Sequence, residues 1–111
     1  MAEKIWDQDE FMRRIMNNEQ IAEKLIALLK SQIPNTLNDL AQALKQGEAE
    51  EAGLLAHKLK GSISNLGGIQ LAELAGQIEA AGRESKLEEM NRLWPEVRPQ
   101  YEALLRCLDQ R

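Results

Sequence analysis

A chain of 111 residues, 43% hydrophobic and 29% charged, has the length and composition of one globular domain, which excludes an intrinsically disordered chain. With 14 basic and 18 acidic residues, the net charge is −4. There is no basic excess to neutralise phosphates, so we expect neither nucleic acid nor an anionic membrane surface as a partner. No apolar run reaches the roughly 18 residues of a membrane span, and no signal-peptide pattern opens the chain. We therefore expect a cytoplasmic domain, free-standing or part of a membrane-anchored parent protein.

Helical periodicity runs through the chain, and alternating β-branched runs are absent. Five helices are predicted, at about residues 8–16, 19–46, 48–65, 69–82 and 85–108. The end signals are an N-cap at Asp7, a C′ glycine at Gly47, a turn at Asn65–Gly68, and a capping box of Ser85 and Glu88. Short connections make consecutive helices antiparallel neighbours. The sequence therefore predicts an all-α fold over residues 1–111, an up-down-up-down four-helix bundle with a short additional N-terminal helix.

Each predicted helix has an apolar stripe that we expect to face the core. In the first helix the stripe is Phe11 and Ile15. In the second it is Ile21, Leu25, Leu28, Ile33, Leu37, Leu40 and Leu44. The third contributes Ala52, Leu55, Leu59, Ile63 and Leu66, and the fourth Leu71, Leu74, Ala75 and Ile78. The last contributes Leu87, Met90, Trp94, Val97, Tyr101, Leu104 and Leu108.

Prolines interrupt two of these stripes. The pattern continues in register through Pro34, which predicts a kink in the second helix and not an end. Pro95 and Pro99 leave two structures open for the last helix, a kinked helix or one that breaks and restarts at Pro95. The single cysteine, Cys107, has no partner for an internal disulfide and is expected in the core or at its boundary. No spacing of ligand residues predicts a metal site.

The only histidine of the chain, His57, lies about 160° around the third helix from the core residue Leu59, so it is predicted to point outward. Its neighbours one and two turns away on that face are Glu50, Gly53, Leu54, Lys60, Gly61 and Ser64. Each glycine costs a helix interior about 1 kcal/mol relative to alanine. Residues without side chains beside an exposed imidazole indicate that something large must reach His57.

The run Ala56-His57-x-Leu59-Lys60-Gly61-Ser62, followed by Asn65-Leu66-Gly67, resembles the signature of histidine-containing phosphotransfer domains, the HPt family of phosphorelays. Two further segments resemble the family pattern, Leu40…Leu44…Gln46-Gly47-Glu48 before the histidine and Leu74…Ile78-Glu79…Arg83 after it. The resemblance covers roughly residues 5–108. It implies a two-component signal-transduction protein that takes a phosphoryl group from a receiver-domain aspartate as phosphohistidine and passes it to another receiver.

The residues fit that chemistry. Neutral imidazole is a nucleophile, and a phosphoryl group on His57 adds about two negative charges. Lys60, one turn away, can supply a counter-charge, and Gly61 leaves room for an incoming domain. Ser62 and Ser64 are candidate hydrogen-bond donors. The resemblance implies that the partner receiver supplies an acidic pocket and Mg²⁺. With no nucleotide-binding motif and no cofactor of its own, the chain is expected to be a phosphoryl carrier and not an ATP-using enzyme.

The predicted docking surface centres on His57. It is expected to include Gly53, Leu54, Lys60, Gly61 and Ser64, with Phe11, Ile15, Glu79 and Arg83 at its border. Since such a contact forms and releases quickly, we expect a small, partly polar interface. A monomer is expected, because this face must stay open.

The sequence leaves alternatives open. The chain fits a free-standing carrier, the C-terminal module of a hybrid sensor histidine kinase, or the phosphoacceptor domain of a chemotaxis-type kinase. A different class of function is a helical adaptor that binds a signalling partner through the same face without chemistry.

Overall fold

The structure is a computed structural model that describes residues 4–111, so only Met1–Glu3 of the predicted domain lie outside the described residues. Within this part of the chain there are six α-helices and one 3-10 turn. The helices are α1 Gln8–Arg14, α2 Glu19–Lys45, α3 Ala49–Leu66, α4 Ile69–Arg83, α5 Leu87–Leu93 and α6 Val97–Asp109, with the 3-10 turn at Trp94–Glu96 between the last two. Among residues 4–111, no helix is both long and apolar enough to cross a membrane.

The predicted helical bundle is confirmed. Helix α3 packs most extensively against α4 and next against α2, and α5 and α6 together form the fourth rod of the bundle. The hydrophobic core lies between these rods and is formed by their inward-facing side chains. Its largest fully buried side chains are Phe11, Ile33, Leu40, Leu59, Ile63, Leu66, Leu71, Ile78, Met90, Val97 and Leu104.

The N-terminal segment closes the C-terminal end of α3. The indole Nε1 of Trp6 donates to the carbonyl of Leu66 at 2.6 Å, and the amide of Asp7 donates to the carbonyl of Gly67 at 2.8 Å. These bonds satisfy carbonyls that a helix end leaves without partners. Gly67 has φ +82°, and a Cβ there would lie 2.8 Å from the Asp7 carbonyl, so this close crossing requires glycine. Asp7 also caps α1, as predicted, by accepting from the amide of Glu10.

Two predicted helix ends were wrong. Helix α1 ends at Arg14 and not near residue 16, because Met16 and Asn17 adopt left-handed backbone angles that turn the chain into α2. The capping box at Ser85 does not form. Ser85 has φ +54°, and α5 begins two residues later, after Lys86, without a side-chain cap.

The predicted core stripe of α2 was also wrong over its first turns. Ile21 and Leu28 are 46% and 52% exposed, whereas Ala22, Ile26 and Leu29 are buried. Apolar residues occur on two neighbouring faces of this segment, so periodicity alone could select either one. From Ile33 onward the predicted positions are buried, and α2 continues through Pro34 without a break.

The open question at Pro95 and Pro99 is resolved by a single 3-10 turn. The backbone at Leu93, Trp94 and Val97 stays in the right-handed helical region. The chain therefore remains right-handed and helical through the 3-10 turn that separates α5 from α6. Pro99 falls in the first turn of α6, where amide hydrogens have no partner within the helix and a missing one costs little.

The corrected register of α2 has a measurable consequence. Leu29→Ala empties a buried position and should lower the free energy of unfolding by about 2–5 kcal/mol. Leu28→Ala removes a half-exposed side chain and should cost less than about 1 kcal/mol. Urea unfolding followed by circular dichroism measures both, and equal losses, or a larger loss for Leu28→Ala, would contradict this register.

Candidate functional site

His57 lies in the middle of α3 with 65% of its side chain exposed. One turn away on either side, Leu54 is 63% exposed, and a Cβ built on Gly61 would meet nothing within 4 Å. The outward orientation of His57 and the open space at Gly61 therefore agree with the sequence prediction. The imidazole therefore projects from α3 with free approach from solvent.

Glu79, on α4, holds the inner side of this imidazole. Its side chain is only 6% exposed. One carboxylate oxygen, Oε2, lies 2.9 Å from His57 Nδ1 and accepts from the guanidinium of Arg83 at 2.6 Å. The other, Oε1, lies 3.0 Å from Lys60 Nζ. The two helices thus share one buried carboxylate.

The charge of Glu79 decides which nitrogen of His57 is free. Burial by itself would raise the pKa of Glu79, but the hydrogen bonds from Lys60 and His57 and the charges of Lys60 and Arg83 outweigh burial and lower that pKa. Glu79 is therefore a carboxylate near neutral pH and can only accept hydrogen bonds. In the neutral imidazole the proton must then sit on Nδ1, which leaves the lone pair on Nε2.

An open cleft of about 500 Å³ lies beside the imidazole. Its lining residues are Glu50, Gly53, Leu54, His57, Glu79, Gly82, Arg83 and Ser85. The cleft extends from His57 toward the start of α3, on the side opposite to Lys60. It therefore offers a recess next to the histidine that a protruding group of a docked protein can enter.

Three residues of the predicted docking surface are buried, namely Glu79, described above, Phe11 and Gly53. Phe11 is only 1% exposed, so its predicted place in the apolar stripe of the first helix is confirmed and its predicted place at the border of the docking surface is wrong. Its ring centroid lies 6.1 Å from that of Trp6. Gly53 was expected on the outer face, but it is buried where α3 crosses α4, and a Cβ there would lie 3.3 Å from the Cα of Gly82. The sequence assigned Gly53 by its angle from the α3 core stripe, and that angle does not account for the neighbouring helix.

The other predicted residues are distributed around the site. Arg83 is largely exposed and reaches back to Glu79. Ser62 and Ser64 are half-buried on the later turns of α3, and Ser64 lies seven residues, about 10 Å along the axis, from His57. The carbonyl of Ser64 accepts from Arg14, which joins the end of α1 to this surface. Ile15 is half-buried and packs against the core.

The direct contact between Glu79 and His57 was missed by sequence reasoning, which placed Glu79 only at the border. The neighbours of His57 were counted on its own helix, and Glu79 lies on the next one. A signal was present, since Glu79 lies four residues after the buried Ala75 and next to the buried Ile78, an unusual place for an acid. The antiparallel turn at Gly67 and Gly68 brings that position opposite His57.

Comparison with known proteins decides the family. The Hpt domain family model matches residues 24–110. The chain belongs to the Hpt family. Its fold is that of histidine-containing phosphotransfer protein B (HptB) from Pseudomonas aeruginosa PAO1, with a TM-score of 0.89 and 21% sequence identity over 98% of this chain and 95% of that chain. None of the curated proteins compared matches this chain.

Family membership confirms the function predicted from the sequence, histidine phosphotransfer in a two-component phosphorelay. Hpt domains are phosphoryl carriers without an ATP site of their own, and in phosphorelays they interact with receiver domains. Within residues 4–111 no group of three or more His, Cys, Asp or Glu side chains is arranged to hold a metal ion.

The lowered pKa of Glu79 predicts how pH changes the stability of this Hpt domain. Because the folded pKa lies below the ordinary value of 4.5, the unfolded chain binds the proton more readily. The stabilisation is complete above about pH 4.5 and is lost as pH falls through the folded pKa. Glu79→Gln should therefore cost about 1–3 kcal/mol at pH 7 and much less near pH 3.

Urea unfolding of both proteins across this pH range provides the measurement. Glu73→Gln, an exposed acid on the same helix, is the matched control and should leave the pH profile unchanged. A cost of Glu79→Gln that stays constant from pH 7 to pH 3 would show that the charge of Glu79 does not contribute.

Proposed function

We propose that His57 is the phosphoryl-carrying residue and that Nε2 is the atom that forms the bond to phosphorus. The observation that carries this proposal is the bond between His57 Nδ1 and the buried Glu79, which leaves the lone pair on Nε2 of an exposed ring. His57 is also the only histidine of the chain. An imidazole fixed on one side and open on the other is suited to in-line attack.

The transfer step balances without a proton leaving the histidine. The Nε2 lone pair forms the N–P bond, the P–O bond of the receiver's aspartyl phosphate breaks, and the aspartate leaves as a carboxylate. The ring keeps its proton on Nδ1 and becomes positively charged. Glu79 faces that charge at 2.9 Å and stabilises it without having to move. Transfer to the next receiver reverses these steps.

The surrounding residues have distinct parts in this proposal. Lys60 lies one turn from His57 with 40% of its side chain exposed. Its ammonium group can therefore donate hydrogen bonds both to Glu79 and to the phosphoryl oxygens. Gly61 keeps the approach free, and Leu54, Arg83 and the cleft meet the partner. The acidic pocket and Mg²⁺ belong to the receiver domain, while this chain contributes no cofactor and acts as a monomer.

The assignment of His57 is tested by incubating the purified chain with a phosphorylated receiver domain and Mg²⁺, followed by intact-mass analysis. We expect one acid-labile, base-stable phosphate on the wild type and none on His57→Gln. This variant should still fold, because most of the side chain is exposed and Lys60 and Arg83 continue to pair with Glu79. Phosphoramidate, a small phosphoryl donor, tests the same atom without a protein partner. Modification of His57→Gln by either donor would overturn the assignment, and a variant that kept its signalling activity would favour the adaptor.

The counter-charge of Lys60 is tested against a neighbour. Lys60→Ala should slow transfer roughly tenfold, equivalent to about 1.4 kcal/mol of transition-state stabilisation. Lys58→Ala removes an exposed lysine from the residue directly after His57 and should change the rate less than about twofold. Rapid-quench kinetics with a phosphorylated receiver separates the two variants, and equal rates for both would exclude a specific role of Lys60.

Gly61 provides a test of access. A Cβ at this position meets no other atom within 4 Å, so Gly61→Ala should stabilise α3 by about 0.5–1 kcal/mol. Gly61→Gln should fold equally well but slow transfer from a receiver at least tenfold, while the reaction with phosphoramidate stays within about twofold of wild type. Parallel slowing with both donors would mean that Gly61 does not act through the docking of a partner.

A further inference from the structure

Helices α3 and α4 meet in three successive layers, each about one turn apart. In the first layer Gly53 faces Gly82, and in the second His57 bonds to Glu79. In the third the aliphatic stem of Lys60 lies across Gly76. The layer that carries the histidine thus has a glycine of α4 on both sides, three residues before and three residues after Glu79.

The two flanking glycines differ in how closely α3 approaches them. A Cβ on Gly82 would lie 2.7 Å from the Cα of Gly53 and 3.1 Å from the carbonyl oxygen of Ala49. Both are backbone atoms, which cannot turn aside. A Cβ on Gly76 would meet only the flexible side chain of Lys60, at 3.4 Å, an ordinary contact. The close approach of the helices is therefore concentrated at the crossing of Gly53 and Gly82.

We propose that Gly82 and Gly53 are positioning residues for phosphotransfer, because their backbone contact sets the separation at which Glu79 reaches His57 Nδ1. This inference rests on the proposed role of Nε2. The crossing lies one turn from the His57–Glu79 pair on both helices, so a change in helix separation at the crossing is transmitted directly to that bond.

The distances allow the effect to be graded. Non-bonded carbon atoms pack at about 3.5–4.0 Å, so Gly82→Ala must separate the helices locally by about 1 Å. The Nδ1–Oε2 distance of 2.9 Å would then exceed the range of a hydrogen bond, about 3.2 Å. Gly53→Ala, with its contact at 3.3 Å, requires only a few tenths of an ångström and should loosen the bond partially. Gly76→Ala requires no separation.

A glycine that served only helix packing would change stability and leave the imidazole unchanged. The tautomer of His57 distinguishes these roles, since it depends on the acceptor at Nδ1 and not on the free energy of unfolding. Ala81→Gly supplies the matched destabilising control, because Ala81 is a buried residue of α4 adjacent to Gly82. This control is expected to lower the unfolding free energy by about 1 kcal/mol or more without changing the tautomer.

The experiment is ¹⁵N NMR of the full chain labelled at histidine, recorded near pH 9, well above the ordinary titration range of imidazole. In the wild type, in Gly76→Ala and in Ala81→Gly, Nδ1 should have the chemical shift of a protonated nitrogen and Nε2 that of an unprotonated one. In Gly82→Ala the Nδ1–H form should become the minor tautomer, and Gly53→Ala should be intermediate. If Gly82→Ala fails to fold, Gly53→Ala decides.

Wild-type tautomers in every folded glycine variant would overturn the proposal, as would an equal change in Gly76→Ala or Ala81→Gly. Phosphoramidate labelling of the same samples tests the function separately. Variants that lose the Nδ1–H form should react at least threefold more slowly. A changed tautomer with an unchanged rate would refute the catalytic consequence. Failure of wild-type labelling at His57 would refute the proposed function, but the effect of the glycines on the tautomer would still be measured by NMR.

Discussion

A carboxylate buried between two helices stays ionised only where donors and cations compensate for the water it has lost. Glu79 meets this condition at the contact of α3 and α4, where His57, Lys60 and Arg83 all direct polar groups at it. This has two consequences. Toward the core, the buried charge of Glu79 joins α3 to α4, and the two helices can move apart only a little before its bonds are lost. Outward, the imidazole is held in one orientation and one tautomer although most of its surface is in solvent.

This arrangement reconciles two opposing requirements of a phosphoryl carrier. The histidine must be exposed, because a partner domain has to reach it, yet an exposed side chain normally samples several rotamers. Here Glu79 of α4 holds the inner side of the His57 ring by a hydrogen bond. The orientation of the ring therefore does not depend on burial of its outer side. The glycines follow the same division, since Gly61 opens the surface and Gly53 with Gly82 brings the helices close enough for the bond beneath it.

The sharing of Glu79 also affects how charge is handled. Before phosphorylation, Lys60 and Arg83 are occupied with the carboxylate and are not free cations on the surface. A phosphoryl group on Nε2 would compete for the same donors while the ring becomes positive and strengthens its own bond to Glu79. The total charge of the cluster therefore stays nearly balanced in both states, which favours a carrier that accepts and releases phosphate with a small change in free energy.

Prediction from the sequence succeeded where the local pattern had one solution and failed where it had two. The stripes of α4 and of the end of α2 have a single apolar face, and those residues are buried. The start of α2 has two apolar faces, and the wrong one was chosen, because only packing against the other helices distinguishes Leu28 from Leu29. The Ser85 capping box failed for a related reason, since the turn that joins α4 to α5 places Ser85 at a positive φ.

The sequence by itself determined the helical bundle, the outward position of His57 and the family, because helical period and a contiguous motif are local properties of the chain. Only the tertiary structure decided that Gly53 is buried and that Glu79 holds the imidazole. Those facts depend on how α3 and α4 are set against each other, and residues more than 20 positions apart come together only through that packing. The outward position of His57 therefore follows from the sequence of α3 alone, whereas the hydrogen bond at its Nδ1 depends on Glu79 of α4.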